Sequence, residues 1–161
     1  MPATTKETGT ALGSLIRYLE FEYYSPVEHI CQRAEDYITD LHGGDVDQTS
    51  SLYTTICKTL FESVRSYVRL RRIVLEQLAG AGNTDAGACY NAELGSLEAD
   101  ITRLLGELSA ILEPSPEAAR FPDLDRALRK EIKKLAERLR EMFYLEHTAL
   151  MPRLDEVHPA Y

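Results

Sequence analysis

The chain has 161 residues, of which 44% are hydrophobic and 27% charged, and its net charge is −8. This length and balance are typical of one folded domain rather than of a disordered chain. The acidic charge argues against a nucleic-acid backbone or an anionic membrane as the main partner. Nucleic acid and membrane are therefore not expected as partners, which leaves another protein as the partner to consider.

The N-terminus and the cysteines both indicate a cytoplasmic protein. The segment from Met1 to Gly13 has no basic stretch followed by an apolar one, so no signal peptide is expected, and no apolar run is long enough to cross a bilayer. The cysteines Cys31, Cys57 and Cys89 are odd in number and widely spaced. That pattern is typical of reduced thiols rather than of disulfides or a zinc site.

The first predicted element is a helix that a proline interrupts. Apolar residues recur at spacings of three and four along it, at Leu12, Ile16, Leu19, Tyr23, Val27, Ile30, Ala34, Ile38 and Leu41. Ser25-Pro26-Val27-Glu28 has the form of a capping box with proline at the first helical position. A kink or a restart of the helix is therefore expected at Pro26, and Gly43-Gly44 is expected to end the segment.

Three further helices follow from the same periodicity. They run from about Ser50 to Leu78, from about Ala88 to Leu112 and from about Pro122 to Val157, with a loop over Gly80 to Gly87. Their stripes are Ile56, Leu60, Val64, Tyr67, Arg71, Leu75 and Leu78, then Leu94, Leu97, Ile101, Leu104, Leu108 and Ile111, then Leu128, Ile132, Leu135, Leu139, Met142, Glu146, Leu150 and Leu154.

Four long amphipathic helices with short connections predict an all-α fold. The expected architecture is an antiparallel up-down-up-down four-helix bundle with a kinked or broken first helix. A single domain is expected over residues 10–158, with flexible tails at 1–9 and 159–161.

Two charged residues interrupt the apolar stripes. Arg71 and Glu146 both fall on the faces that periodicity predicts to be buried. A buried charge without a partner is too costly to keep. Either the two residues pair, and a guanidinium can bind a carboxylate with two hydrogen bonds, or Arg71 extends to the bundle edge and Glu146 is half exposed.

The fourth helix carries a family resemblance. Glu146-His147-Thr148-Ala149-Leu150-Met151-Pro152-Arg153-Leu154 resembles the Glu-Glu-x-x-Leu-Phe-Pro-x-Leu segment of haemerythrin-like (HHE cation-binding) domains. Residues 15–23 are similar to the opening helix of that family, and residues 90–95 with Ile101-Thr102 are similar to its third-helix Glu-His-Asp-x-x-Gly segment. Within the chain, residues 67–75 also resemble residues 142–150.

In that family, histidines and carboxylates hold a two-iron centre, and the resemblance implies that most of these ligands are replaced here. By position, the ligands correspond to Tyr23, Tyr67, Arg71, Asn91, Met142 and Glu146. Only Glu146 is a residue of the family's ligand type. We therefore expect no catalysis, no cofactor, and an Arg71–Glu146 pair surrounded by the Tyr23 and Tyr67 hydroxyls, in a binding or regulatory module.

Two other readings stay open. Residues 134–147 resemble the last helix of the Rsd/AlgQ sigma-factor regulators, and residues 74–78 are similar to a segment of their second helix, which implies a regulator that binds a transcription factor. A metal-binding or O2/NO-responsive protein that holds iron or another metal with unusual ligands would use Glu146, His147 and His29.

A basic stretch and a set of aromatic residues are the two features that could contact a partner. The basic stretch is Lys130, Lys133, Lys134, Arg138 and Arg140. It is either a solvated face paired with Glu131, Glu137 and Glu141 or a docking strip for an acidic partner. The aromatic residues Phe21, Tyr24 and Tyr144 are expected to pack within the bundle, with an interface as the alternative.

Overall fold

The computed structural model describes residues 5–43, 51–79, 84–113 and 116–157, and every regular element in these ranges is helical. The α-helices are α1 (Thr5–Leu19), α2 (Ser25–Leu41), α3 (Leu52–Ala79), α4 (Thr84–Ala110), α5 (Pro116–Arg120), α6 (Pro122–Leu145) and α7 (Met151–Val157). The π-helical turns Glu20–Tyr24 and Glu146–Leu150 join α1 to α2 and α6 to α7. The chain thus forms four long helical segments, and the predicted all-α bundle is confirmed.

The first and last helical segments pack together and run in opposite directions. Near one end Arg153 donates a hydrogen bond to the carbonyl of Ala11, and near the other Arg33 pairs with Glu131. Early residues of one segment therefore meet late residues of the other, as in two antiparallel neighbours.

The apolar stripes meet in one buried cluster. Within it α3 packs chiefly against α4, and α2 packs chiefly against α6. The largest fully buried side chains are Tyr24, Tyr67, Phe61, Leu19, Leu60, Ile101, Leu128, Leu135, Leu139, Met142, Leu150 and Leu154. No helix in the described ranges combines the length and the apolar character that crossing a membrane requires.

Some predicted boundaries are wrong. Helix α1 begins at Thr5, so residues 5–9 of the expected tail are helical. Helix α4 begins at Thr84, inside the expected loop. It ends at Ala110, before Leu112. Gly43 has a φ of 60°, which suits a glycine that closes a helix, while Gly44 and residues 158–161 lie outside the described ranges.

Proline explains both π-helical turns. A proline, Pro26 or Pro152, follows each turn with one residue between them. Proline has no N–H, and its ring crowds the carbonyl four residues earlier. The helix takes up an extra residue, and the residue before each proline bonds instead to the carbonyl of Glu20 or Glu146, five positions back.

Of the two alternatives expected at Pro26, a kink or a restart, the structure shows no new helix start: the π-helical turn interrupts the α-helix instead. Ser25 has helical torsion angles, φ −64° and ψ −46°, and no side-chain capping bond begins α2. The first segment passes through Pro26 without leaving the helical conformation. The extra residue, rather than a new helix start, accommodates the proline.

Candidate functional site

A single buried carboxylate is the centre of the site. Glu146 opens the second π-turn and is 1% exposed. Its Oε2 atom lies 2.6 Å from Nε of Arg71, which is 4% exposed. The Tyr67 hydroxyl lies 2.8 Å and 3.0 Å from the two carboxylate oxygens, and the Tyr24 hydroxyl donates to Oε2 at 3.4 Å. Three side chains from two other helical segments therefore share one carboxylate.

The guanidinium of Arg71 divides its contacts between partners. Its Nη2 donates to the Tyr67 hydroxyl at 3.1 Å, and its Nη1 lies 4.0 Å from the sulfur of Met151. The Nε atom lies at ion-pair distance from Glu146 without forming a well-aligned hydrogen bond. The contact is thus a close ion pair rather than the two-bond fork that the sequence allowed, because Nη2 binds Tyr67 instead.

Local geometry brings these residues together. Tyr67 and Arg71 are four residues apart on α3, so they project from the same helix face. The Tyr67 ring packs edge-to-face on Phe143, with ring centroids 5.1 Å apart. The amide of Glu146 bonds to the carbonyls of Met142 and Phe143. The ring that positions the Tyr67 hydroxyl is therefore held by the same helical turn that presents Glu146.

Burial governs the protonation of the site. Burial raises the pKa of Glu146 above its ordinary value. Arg71 and the Tyr67 hydroxyl lower this pKa but only partly offset the effect of burial. Burial also raises the pKa of Tyr24 and of Tyr67, and the neighbouring Glu146 raises both further. Burial would lower the pKa of Arg71, but Glu146 and Tyr67 outweigh it and the pKa is raised. Arg71 thus keeps its charge, and the tyrosines keep the protons that they donate.

The expected pairing of Arg71 with Glu146 is present, and the reading with a half-exposed Glu146 is wrong. The expected place of Tyr23 is also wrong. Its hydroxyl donates to Glu141 at 3.3 Å, and Tyr24 takes the place beside Glu146. Tyr23 and Tyr24 are both buried in the first π-turn, and it is the Tyr24 hydroxyl that reaches Glu146.

Of the two remaining expected site residues, Met142 lies near Glu146 and Asn91 does not. Met142 is fully buried one turn before Glu146. Asn91 is half-buried on α4, seven residues before Glu98. Seven residues of helix span about 10 Å. Because Glu98 is the α4 residue that contacts His147, beside Glu146, Asn91 lies about two turns away from the level of the site.

The alternative metal-binding set does not assemble. His147 is turned outward, and its Nε2 lies 2.8 Å from Glu98 at the surface. His29 is exposed beside a groove between α2 and α6. Across the described ranges, no three side chains of His, Cys, Asp or Glu come close enough together to hold a metal ion.

Sequence reasoning missed Arg72, which clamps the first π-turn. Its guanidinium binds Glu20, where the turn begins, at 2.7 Å and 2.9 Å, and Glu28, in the first turn of α2, at 2.8 Å and 3.1 Å. The two acidic residues flank Pro26 in the sequence, which is the only local signal. Their shared partner lies on α3, and no spacing within one helix could identify it.

The geometry therefore defines a class of protein: a helical bundle with a buried Arg–Glu ion pair where two proline-associated π-turns meet α3. No protein-family profile matches the chain, and neither a curated protein nor a solved structure matches it.

Proposed function

We propose that this protein is a non-catalytic, haemerythrin-like binding or regulatory module in which the Arg71–Glu146 pair takes the place of a metal centre. The observation that carries the proposal is that Arg71, Tyr67 and Tyr24 engage both oxygens of Glu146. A metal ligand needs a free lone pair directed at the ion. Here the oxygens already accept contacts from three side chains, and the positive charge of Arg71 lies where a cation would have to bind.

The exposed aromatic residues favour binding over a purely internal role. The side chains of Phe21 and Tyr144 are 73% and 67% exposed, so the expectation that they pack within the bundle is wrong, whereas Tyr24 is buried. Large aromatic side chains are enriched where proteins bind each other. A cytoplasmic setting fits the buried free thiols of Cys31 and Cys57.

Metal analysis of the purified full chain tests the first half of the proposal. The protein is expressed in iron-supplemented medium, and its metal content and absorption spectrum are measured before and after addition of Fe(II) in air. We expect far less than one iron per chain and no charge-transfer absorption. Two irons per chain would contradict the proposal and favour the reading as a metal-binding or O2/NO-responsive protein.

Site-specific crosslinking in the native cells tests the second half. A photoreactive amino acid is placed at Phe21 or Tyr144, and at Arg103 on the exposed face of α4 as the control. We expect a discrete protein adduct from Phe21 or Tyr144 and none from Arg103. No adduct at either aromatic position would contradict a binding role. An adduct with a sigma subunit of RNA polymerase would favour the Rsd/AlgQ-like reading.

A further inference from the structure

A groove between α4 and α6 combines an apolar floor with unpaired positive charge. Its volume is about 310 Å³. The partly exposed apolar residues of its floor are Leu105 and Ala136, which lie over the buried Leu108 and Ile132. Lys133, Glu137 and Arg140 line it from α6. A surface of this kind presents an apolar contact and charged contacts side by side.

Two of the three cations that line this groove, Lys133 and Arg140, make no ion pair with a described residue. Among the residues that the structure describes, neither Lys133 nor Arg140 contacts an acidic side chain. Arg129, which also lines the groove, is engaged by Asp125 and by two backbone carbonyls. In a chain with a net charge of −8, two free cations beside apolar side chains are a local reversal of the overall charge.

The expectation that acidic neighbours neutralise the basic stretch holds for only part of it. Lys134 binds Glu131 at 3.2 Å, and Arg138 lies 3.8 Å from Glu141. Lys133 and Arg140 are on the side of α6 that faces the groove, and they keep their charge available. On one side of α6 the basic residues pair with acidic residues of the same helix, and on the other side they line the groove.

We propose that the α4–α6 groove binds an acidic, amphipathic segment of a partner protein. Lys133 and Arg140 are seven residues apart, about 10 Å along α6. A helical segment with carboxylates two turns apart and apolar side chains between them would place each carboxylate near one cation and its apolar face on the partly exposed Leu105 and Ala136. This proposal rests on the binding role proposed above and names the chemistry of the partner.

The groove suits an acidic peptide better than a nucleic acid. Glu137 lies between Lys133 and Arg140 in the sequence of α6 and lines the same groove. A phosphate backbone carries the same charge at every step and would meet Glu137 as well as the cations. A peptide can place an uncharged residue there. The apolar floor offers a peptide buried contact area, whereas phosphates gain nothing from it.

Fluorescence anisotropy with a defined probe tests the proposal. The probe is a fluorescein-labelled peptide of about fifteen residues, with Glu two turns apart and Leu and Phe between them. Two comparison probes are the same peptide with Gln in place of Glu and a single-stranded oligonucleotide of similar length. The protein variants are K133E/R140E, the milder K133Q/R140Q, and R17E/R69E as a control with the same change in net charge at exposed positions elsewhere.

We expect saturable binding of the acidic peptide, weakened more than about tenfold by K133E/R140E and less by K133Q/R140Q. R17E/R69E should bind like the unmodified protein, and circular dichroism should show all variants folded. The proposal is overturned if the acidic peptide does not bind, if the Gln peptide binds equally well, if R17E/R69E weakens binding equally, or if the oligonucleotide binds more tightly through the same cations. If the peptide does not bind but crosslinking at Phe21 or Tyr144 still captures a partner, only the groove proposal is overturned. If neither the peptide nor a crosslinked partner is found, the binding role itself is overturned.

Discussion

At the scale of the residue, the Glu146 carboxylate shows why a buried ion pair need not be a strong source of stability. Moving two charges out of water costs several kcal/mol per ion, and their attraction offsets this only with good geometry and additional hydrogen bonds. Tyr67 and Tyr24 supply those bonds. Removing either charged member leaves the other charge buried without its counter-ion, which is strongly destabilising.

The tyrosine hydroxyls should differ in strength. Tyr67→Phe removes the bonds of 2.8 Å and 3.0 Å to Glu146 and should lower the free energy of unfolding by about 1.5–3 kcal/mol. Tyr24→Phe removes a longer contact of 3.4 Å and should cost less. Tyr23→Phe, which loses a contact with Glu141 outside the site, is the control. Urea unfolding measures all three, and equal losses for Tyr24→Phe and Tyr67→Phe would count against the geometry described.

Alkaline pH should expose the same two hydroxyls. The pKa of Tyr24 and that of Tyr67 are raised by burial and then by Glu146, so the folded protein keeps both protons above about pH 10, where unfolded tyrosine loses them. The unfolded state then binds fewer protons, so the free energy of unfolding should fall as pH rises above about 10. Urea unfolding of Y24F/Y67F over that range should give a shallower fall. A slope identical to that of the unmodified protein would contradict the assignment.

Periodicity was sufficient to predict part of the site. Arg71 and Glu146 fall on the apolar stripes of their helices, so their burial and pairing follow from helical spacing and from the cost of a lone buried charge. The choice of Tyr24 over Tyr23 does not follow. Both side chains are buried within a π-turn, and a uniform period of 3.6 residues places only Tyr23 on the buried face.

At the scale of the element, the two π-turns have the same sequence plan. Glu20 and Glu146 each begin a turn six residues before a proline, and each lends its carbonyl to the amide just before that proline. The prolines were visible in the sequence, and a kink or a restart was expected at Pro26. Packing on both sides of a proline decides whether the helix breaks there or inserts an extra residue. Here the buried apolar residues of α1 and α2 favour a helical path that continues past Pro26.

Arg72 should hold the first π-turn locally rather than the whole fold. Arg72→Met removes the bonds to Glu20 and Glu28, which join the start of the turn to α2. We expect faster amide hydrogen exchange over residues 20–28 and no change over residues 146–152, because surface-level ion pairs contribute little to global stability. Arg103→Met, which breaks an exposed pair within α4, is the control. Faster exchange in both π-turns, or in neither, would contradict a local role.

At the scale of the whole molecule, the fold follows from the sequence more fully than the site does. Four stripes at helical spacing predict four helical segments, and those stripes do form the core, as Leu60, Leu135 and Leu150 illustrate. The opening turns of α1 and α4 were not predicted, because residues before the first stripe carry no periodic signal. The charge pattern needed the structure, since only the fold shows that Lys133 and Arg140 contact no acidic side chain in the part of the chain that the structure describes.

The two described cysteines should report opening of the whole core. Burial raises the pKa of Cys31 and that of Cys57 to about 12, so almost no reactive thiolate is present near neutral pH. In a C89S variant, which leaves only these two thiols, alkylation by iodoacetamide at pH 8 should be slow and should accelerate with urea in step with unfolding. Rapid alkylation of either cysteine in native buffer would contradict their burial in the core.

The most direct test of the central claim is a double-mutant cycle of Arg71→Met and Glu146→Gln, followed by urea unfolding. Each single change leaves one buried charge without its partner and should cost about 3–5 kcal/mol, while the double variant buries no charge at this site. The account predicts that the double variant loses less than the sum of the two single losses by more than about 2 kcal/mol. Losses that add to within about 0.5 kcal/mol would show that Arg71 and Glu146 do not act as a pair.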